Sequence, residues 1–306
     1  MGLEREQRLD RRFFVATLRN LMLDKLRHDL TKLQCPPEEG MFRRFHGRLA
    51  LFRPTAMLEH YWTNHWKDEG RRERLLEKSR DAELVEYEPL IDKFMPQEGL
   101  VLEAGCGLGQ VVAALSKRGY RVRGIEYDRD VVEYVNGRFP DLDVVTGDVN
   151  ALALPNASVT TYVSLGVVEH FVDGPIRALA EARRVLTPNG HALISVPILN
   201  RARGAHLAQL SEKDGQERGD LTFYQYYFDV NEFIELAKQA GFAVVETRGI
   251  FLESHLVNEH PIFSRLWRTR VGRSRMRAPL RRSMRQAPTW ARRRYGHMVM
   301  FVFRCA

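Results

Sequence analysis

The chain has 306 residues and a formal net charge of +8, with 44% apolar and 28% charged residues. That length suits one large α/β domain with additions or two small domains, and that apolar share supplies a packed core, which excludes wholesale disorder. Three scattered cysteines, Cys35, Cys106 and Cys305, exclude a disulfide framework or a cysteine metal cluster, and no apolar run approaches the roughly 18 residues of a membrane span.

Residues 1–80 read as a basic, helical N-terminal extension or lid of net charge +6, with Phe14, Leu18, Leu21, Met22 and Leu26 at helical spacing. That apolar face packs on its own domain or lies on a membrane surface. The charged start has no uninterrupted apolar stretch of the kind a secretory signal needs, so a cytoplasmic protein with reduced thiols is expected, with membrane association left open. Pro36-Pro37 breaks the helical pattern. Tyr61, Trp62 and Trp66 form an aromatic cluster ahead of a charged helix predicted over 71–94.

From Leu100 the pattern alternates. Strands are predicted at 100–104, 121–126, 142–146, 158–164 and 191–196, with helices near 108–118, 129–138 and 174–186. Gly119 and Pro140 close the first two helices, and Thr187-Pro188-Asn189-Gly190 makes a turn. A polar, aromatic insertion at 198–228 precedes a helix at 229–240 and a strand at 242–251. A second insertion, 255–295, precedes a terminal strand at 297–303. The chain from 81 to 306 is therefore expected to be an α/β domain: a mostly parallel sheet with helices on both faces.

The first strand leads into Glu103-Ala104-Gly105-Cys106-Gly107-Leu108-Gly109-Gln110. Glycines at alternate positions between a strand and a helix let the backbone approach a ligand, and the helix start offers free N–H groups. A dinucleotide fingerprint would place Gly or Ala at 110, where Gln stands. An acid at 103 would repel a pyrophosphate but suits a cationic methionine end. Glu126 ends the second strand and can take both hydroxyls of a ribose. Asp148 follows the third and can accept from an adenine amine, with the Val149 N–H donating to the ring. Acids at three successive strand ends point to S-adenosylmethionine (SAM). Cys106 is read as a small residue fitting a tight turn rather than a nucleophile.

On these residues, together with Ser164-Leu165-Gly166-Val167-Val168-Glu169-His170-Phe171, the turn at 186–191 and Tyr227-Phe228 leading to Phe233 and Leu236, the chain resembles the class I SAM-dependent methyltransferases that act on small molecules and lipids. The resemblance covers about 85–250 plus the terminal strand. It implies a seven-stranded Rossmann-like sheet whose last strand runs antiparallel, in a hairpin of 242–251 with 297–303. It implies a cofactor set of Glu103, Gly105, Cys106, Gly107, Gly109, Gln110, Glu126, Tyr127, Asp148, Val149 and Leu165, and no metal. The Asn/Asp-Pro-Pro-aromatic motif of base N-methylation is absent after the fourth strand.

A hydroxyl acceptor gains from a base, and His170 is the candidate, with Glu169 a weaker one; the alternative is a His that holds the cofactor or caps a helix. Tyr61, Trp62, His206, Tyr226 and Tyr227 are the expected acceptor-pocket residues, each also a possible core side chain. From 260 to 306 there are thirteen arginines and no acid, whereas the stretch between the two basic ends is net −11. The Arg-rich 260–295 segment suits an anionic lipid surface or a lipid-linked acceptor first, a solvated face second and RNA third. The function expected is methyl transfer to an oxygen of a small-molecule or lipid-linked acceptor. An RNA methyltransferase and a non-catalytic SAM-binding partner protein are the alternatives.

Overall fold

The computed structural model describes residues 40–58, 84, 86–211, 220–252, 287–288, 292 and 295–306. In chain order, strands β1 (Met41–Phe45) and β2 (Arg48–Pro54) lead into a one-turn helix α1 (Thr55–Leu58), and α2 (Glu88–Phe94) follows. The alternating region is β3 (Leu100–Ala104), α3 (Gln110–Lys117), β4 (Arg121–Glu126), α4 (Arg129–Arg138) and β5 (Val144–Thr146). Next come β6 (Val159–Leu165), a 3-10 turn (Val168–His170), α5 (Ile176–Val185), β7 (Leu186–Pro197), α6 (Arg201–Leu207) and β8 (Leu221–Tyr227). Helix α7 (Val230–Gln239), β9 (Phe242–Ile250) and β10 (Met298–Cys305) complete the described chain.

Seven strands form one sheet in the order β5-β4-β3-β6-β7-β10-β9. Strands β3 to β7 pair in parallel, and β10 lies antiparallel between β7 and β9. The expected Rossmann-like sheet and its closing hairpin are therefore present. One face buries Tyr162, Ile194, Phe301 and Phe303 against α5 and α7; the other buries Val101, Val163, Leu193 and Met300 against α2, α3 and α4. Phe233 of α7 sits between Phe228 and Phe301, ring centres 5.2 and 4.8 Å away. Burying a ring of this size contributes roughly 2–3 kcal/mol. Local signals set the helix starts: Asp128 accepts from Asp130 and Val131 N–H, and Asp229 accepts from Asn231 and Glu232 N–H.

A second, three-stranded antiparallel sheet, β1-β2-β8, corrects the expectation of a helical N-terminal extension over 41–54. His46 and Gly47 both take positive φ, 49° and 76°, which is the two-residue turn a hairpin needs. Leu49, Ala50, Leu51 and Phe52 are all buried, because both faces of β2 are covered. A continuous apolar run of that length does not separate strand from helix, and the partner that decides it, β8, lies far along the chain. The 198–228 insertion is likewise not one polar loop, since it supplies α6 and β8. The helix expected over 71–94 begins, in its described part, at Glu88, after a turn closed by the Tyr87 N–H on the Leu84 carbonyl. The turn expected at 187–190 lies inside β7, where the register against β6 slips between Val159 and Thr161. No helix among the described residues is long and apolar enough to cross a membrane.

Candidate active site

The loop leaving β3 turns through three glycines of positive φ: Gly105 at 80°, Gly107 at 52° and Gly109 at 69°. A Cβ on Gly105 would lie 2.4 Å from Val167 Cγ2, so the loop leaving β6 is pressed against the loop leaving β3. Gly105 and Cys106 N–H both donate to the Ile125 carbonyl, at 2.8 and 3.0 Å, which ties the loop to β4. The Cys106 thiol packs 2.7 Å from where a Gly124 Cβ would stand. Burial, with the charges of Glu103 and Glu126, pushes its pKa well up, so it is a packing group and not a thiolate.

Glu103 is 4% exposed, and its Oε2 accepts the Val112 N–H at 3.0 Å, which braces the first turn of α3 on β3. Burial raises its pKa well above the usual carboxylate range, the Val112 N–H opposes this, and the Glu126 charge adds to it. Glu126 Oε2 accepts the Gly107 N–H at 2.9 Å, while Oε1 accepts from Tyr127 and Asp128 N–H at 2.9 and 3.1 Å. That carboxylate holds the glycine loop to the end of β4. The Tyr127 ring beside it is 79% exposed. Exposed Asp148, just beyond β5, holds Asn150 through Oδ1, from the backbone N–H at 2.8 Å and the side-chain amide at 3.1 Å. Val149 next to it is buried, Leu165 is part-buried at the end of β6, and Gln110 keeps a buried Oε1 without a hydrogen-bond partner at the first position of α3.

Asp148, Glu126 and the glycine loop thus stand in a row at the carboxyl ends of β5, β4 and β3, and the strand order reverses between β3 and β6. Open α/β sheets take their ligands at that switch point. Across it, His170 Nδ1 lies 2.7 Å from the Tyr224 carbonyl of β8. A carbonyl only accepts, so the ring proton sits on Nδ1 and Nε2 carries the lone pair. Burial lowers the His170 pKa to about 4; the Tyr224 carbonyl opposes this and the Arg53 charge reinforces it. Glu169, on the same turn, is pushed up to about 8 by burial.

Residues 102–194 match the family described as a methyltransferase domain. A Mycolicibacterium smegmatis protein named "Probable S-adenosylmethionine-dependent methyltransferase" is 35% identical over 151 residues, which are 49% of this chain and 54% of that protein. Residues 102–194 are therefore a SAM-dependent methyltransferase domain, set in the class I sheet order. A Mycobacterium tuberculosis relative with the same description is 31% identical over 49% of this chain and 51% of its own length. The chain therefore spans about half the length of the curated relatives it matches. A chain from the complex of the Haloferax volcanii Trm112 methyltransferase activator with a methyltransferase shares the fold: TM-score 0.51, 19% identity, covering 79% of this chain and 96% of that one.

SAM is the cofactor named in the relatives' descriptions, and the residues of this site fit it. The loop keeps glycine at 105, where a Cβ would meet Val167; Glu126 Oε2 has acceptor capacity left for a ribose hydroxyl; and Gln110 brings to the helix start an amide oxygen without a partner among the described residues. When bound, SAM supplies an electrophilic methyl group on a cationic sulfur.

Of the expected acceptor residues, only Tyr226, Tyr227 and His206 are described, and Tyr226 lies apart from the other two. Tyr61 and Trp62, with the Arg-rich 260–295 stretch apart from 287, 288, 292 and 295, lie outside the described residues. Tyr226 and Tyr227 are buried on opposite faces of β8. The Tyr226 hydroxyl bridges the Val172 carbonyl at 2.8 Å and His46 Nδ1 at 3.0 Å, and burial raises its pKa to about 12. The Tyr227 ring packs under the Arg203 guanidinium, 4.3 Å away, and against Phe42. His206 packs edge-on to Phe42 at 5.6 Å, with a buried Nδ1 that has no partner. Sequence reasoning missed His46 and Arg53, which reach the His170 side from the N-terminal hairpin. Nothing in their own neighbourhood signals that contact.

Proposed function

We propose that this methyltransferase transfers the SAM methyl group to an oxygen of a small-molecule or lipid-linked acceptor. The reading rests on one observation: the glycine loop, Glu126 and Asp148 occupy three adjacent strand ends on one side of the switch point, with proton-accepting side chains on the other. The loop and the start of α3 hold the methionine end, Glu126 the ribose and Asp148 with Val149 the adenine. Positioning the acceptor for in-line attack supplies most of the rate gain. A hydroxyl acceptor also has a proton to lose, and the β6 side of the site carries His170 and Glu169 to handle it. A neutral His170, its Nδ1 proton held by the Tyr224 carbonyl, shapes this side of the site. Held at a pKa of about 4, it is a weak base. The Arg-rich 260–295 stretch supports a lipid-linked acceptor through its charge alone.

The test is incubation with methyl-labelled SAM and a lysate split into lipid, polar-metabolite, RNA and protein fractions. Label is expected in the lipid or polar-metabolite fraction. Label confined to RNA, or no heat in a calorimetric titration with SAM, overturns the reading.

A further inference from the structure

We propose that Glu169 takes the proton of the methyl acceptor, with its Oε2 as the receiving atom; this rests on the methyl-transfer reading above. Glu169 sits in the 3-10 turn immediately beyond β6, at the strand where the sheet order reverses. Gly166 precedes it with φ of 72°, and both Glu169 Oε1 and Met298 Cε lie 3.5 Å from where a Gly166 Cβ would stand. A side chain at 166 would fill the space between them, and glycine leaves it open. The carboxyl is 2% exposed, yet Oε2 has no hydrogen-bond partner among the described residues. A buried polar atom left unpaired is costly to the fold, and an O–H donor on a ligand removes that cost. Ser195 Oγ is 1% exposed and also unpartnered, on the residue whose carbonyl accepts the Gly166 N–H at 3.1 Å. Its side chain lies on the sheet face that carries Leu193 and Met300, the face Met298 also packs on. Two buried oxygens without partners among the described residues therefore belong to residues at the end of β6: Glu169 just beyond it, and Ser195 paired with Leu165.

The neighbouring imidazole is oriented elsewhere, onto the Tyr224 carbonyl of β8. Burial sets the proton affinity of Glu169 and its own backbone N–H opposes it; among the described residues no charged group offsets that burial. Of titratable groups, the turn itself carries His170, the facing glycine loop carries Cys106, and Glu103 stands on β3 below that loop. With Glu169 near 8 and His170 near 4, a released proton goes to the carboxylate. The balance is simple. A lone pair on the acceptor oxygen bonds to the methyl carbon, the carbon–sulfur bond breaks with its pair staying on sulfur, and the hydroxyl proton passes to Glu169. The sulfonium charge and the carboxylate charge both disappear, which a water-poor site favours. The acceptor is then a hydroxyl rather than a carboxylate, which brings no proton to remove.

The experiment measures label uptake from SAM into the lysate fraction that the wild type labels, from about pH 6 to about pH 9, for Glu169→Gln, Glu169→Asp and His170→Asn. The wild-type rate at low acceptor is expected to rise with pH and level off near pH 8. Glu169→Gln loses roughly 100-fold and the rising limb, Glu169→Asp recovers part of both, and His170→Asn keeps the limb. Calorimetric SAM affinity of Glu169→Gln stays within about 3-fold of wild type, which separates proton transfer from cofactor binding. A Glu169→Gln variant that keeps the wild-type rate or pH limb overturns the assignment. A wild type that labels no fraction overturns the methyltransferase reading, and this assignment with it.

Discussion

The two sides of the switch point are held in different ways. On the β3–β4–β5 side the contacts are short-range: Val112 to Glu103 spans 9 residues, Gly107 to Glu126 spans 19, and Asn150 to Asp148 spans 2. On the β6 side His170 reaches Tyr224 across 54 residues, and Tyr226 reaches His46 across 180. Closing a short loop costs less chain entropy than closing a long one, so the cofactor side assembles from one stretch of chain. The acceptor side needs the whole sheet and a hairpin from the far N-terminal part. The acidic groups differ as well. Glu126 is satisfied by three backbone N–H groups, whereas Glu169 is buried with an oxygen unpaired.

That contrast can be tested from its strongest consequence downward. Glu169 keeps its proton in the folded protein up to about pH 8, against 4.5 as the ordinary carboxylate value. The folded state therefore binds the proton more tightly, and stability falls as pH rises between those values. Glu169→Gln should be the more stable protein at pH 8 by an amount on the order of 3 kcal/mol, with the difference vanishing toward pH 4.5, in denaturant titrations. His170 acts at the other end. Its pKa is lowered to about 4 from 6.5, so its contribution is present above 6.5 and is lost as pH falls toward 4. An unchanged pH–stability curve in Glu169→Gln would show that the carboxyl is not strained.

Next in size, Glu126→Ala removes the brace on the Gly107 N–H and the ribose acceptor together. SAM affinity should drop about 100-fold, near 2.7 kcal/mol, by calorimetry. Asp148→Ala takes away one exposed acceptor and should cost about 10-fold in SAM affinity while leaving the melting temperature unchanged. Smallest is Tyr226→Phe, which cuts the bridge from Val172 to His46. It should lower stability by about 1 kcal/mol and slow methyl uptake, yet leave SAM affinity as it was. A matching loss of SAM affinity in Tyr226→Phe would erase the distinction between the two sides.

The row of strand-end groups was legible because its members are neighbours in sequence. A strand, a glycine at alternate positions and an acid at the next strand end can be read in order. The fold class followed from the alternation of strands and helices, and the closing hairpin from the resemblance that alternation and those motifs carry. The small sheet was not legible. Arg43 to Arg53 reads as a charged, helical stretch until β8 pairs with it. Tyr226 and Tyr227, read as pocket or core rings, are buried because one face of β8 packs on the main core and the other on Phe42, Leu199 and Leu207. Nor does sequence distinguish Glu169 from His170 as proton acceptor, since adjacent residues on a turn differ only in where their side chains are sent.

The sequence by itself determined the alternating α/β sheet and the row Gly105–Gly109, Glu126 and Asp148 at successive strand ends, because backbone conformation and strand-end spacing are local properties; the count of seven strands came from the family resemblance. Only the tertiary structure decided that residues 41–54 form a hairpin, that the His170 ring is pinned to Tyr224, and that Glu169 is buried with an unpaired oxygen. Those outcomes depend on burial and on partners 54 to 180 residues away, and desolvation is a property of the assembled molecule rather than of any segment.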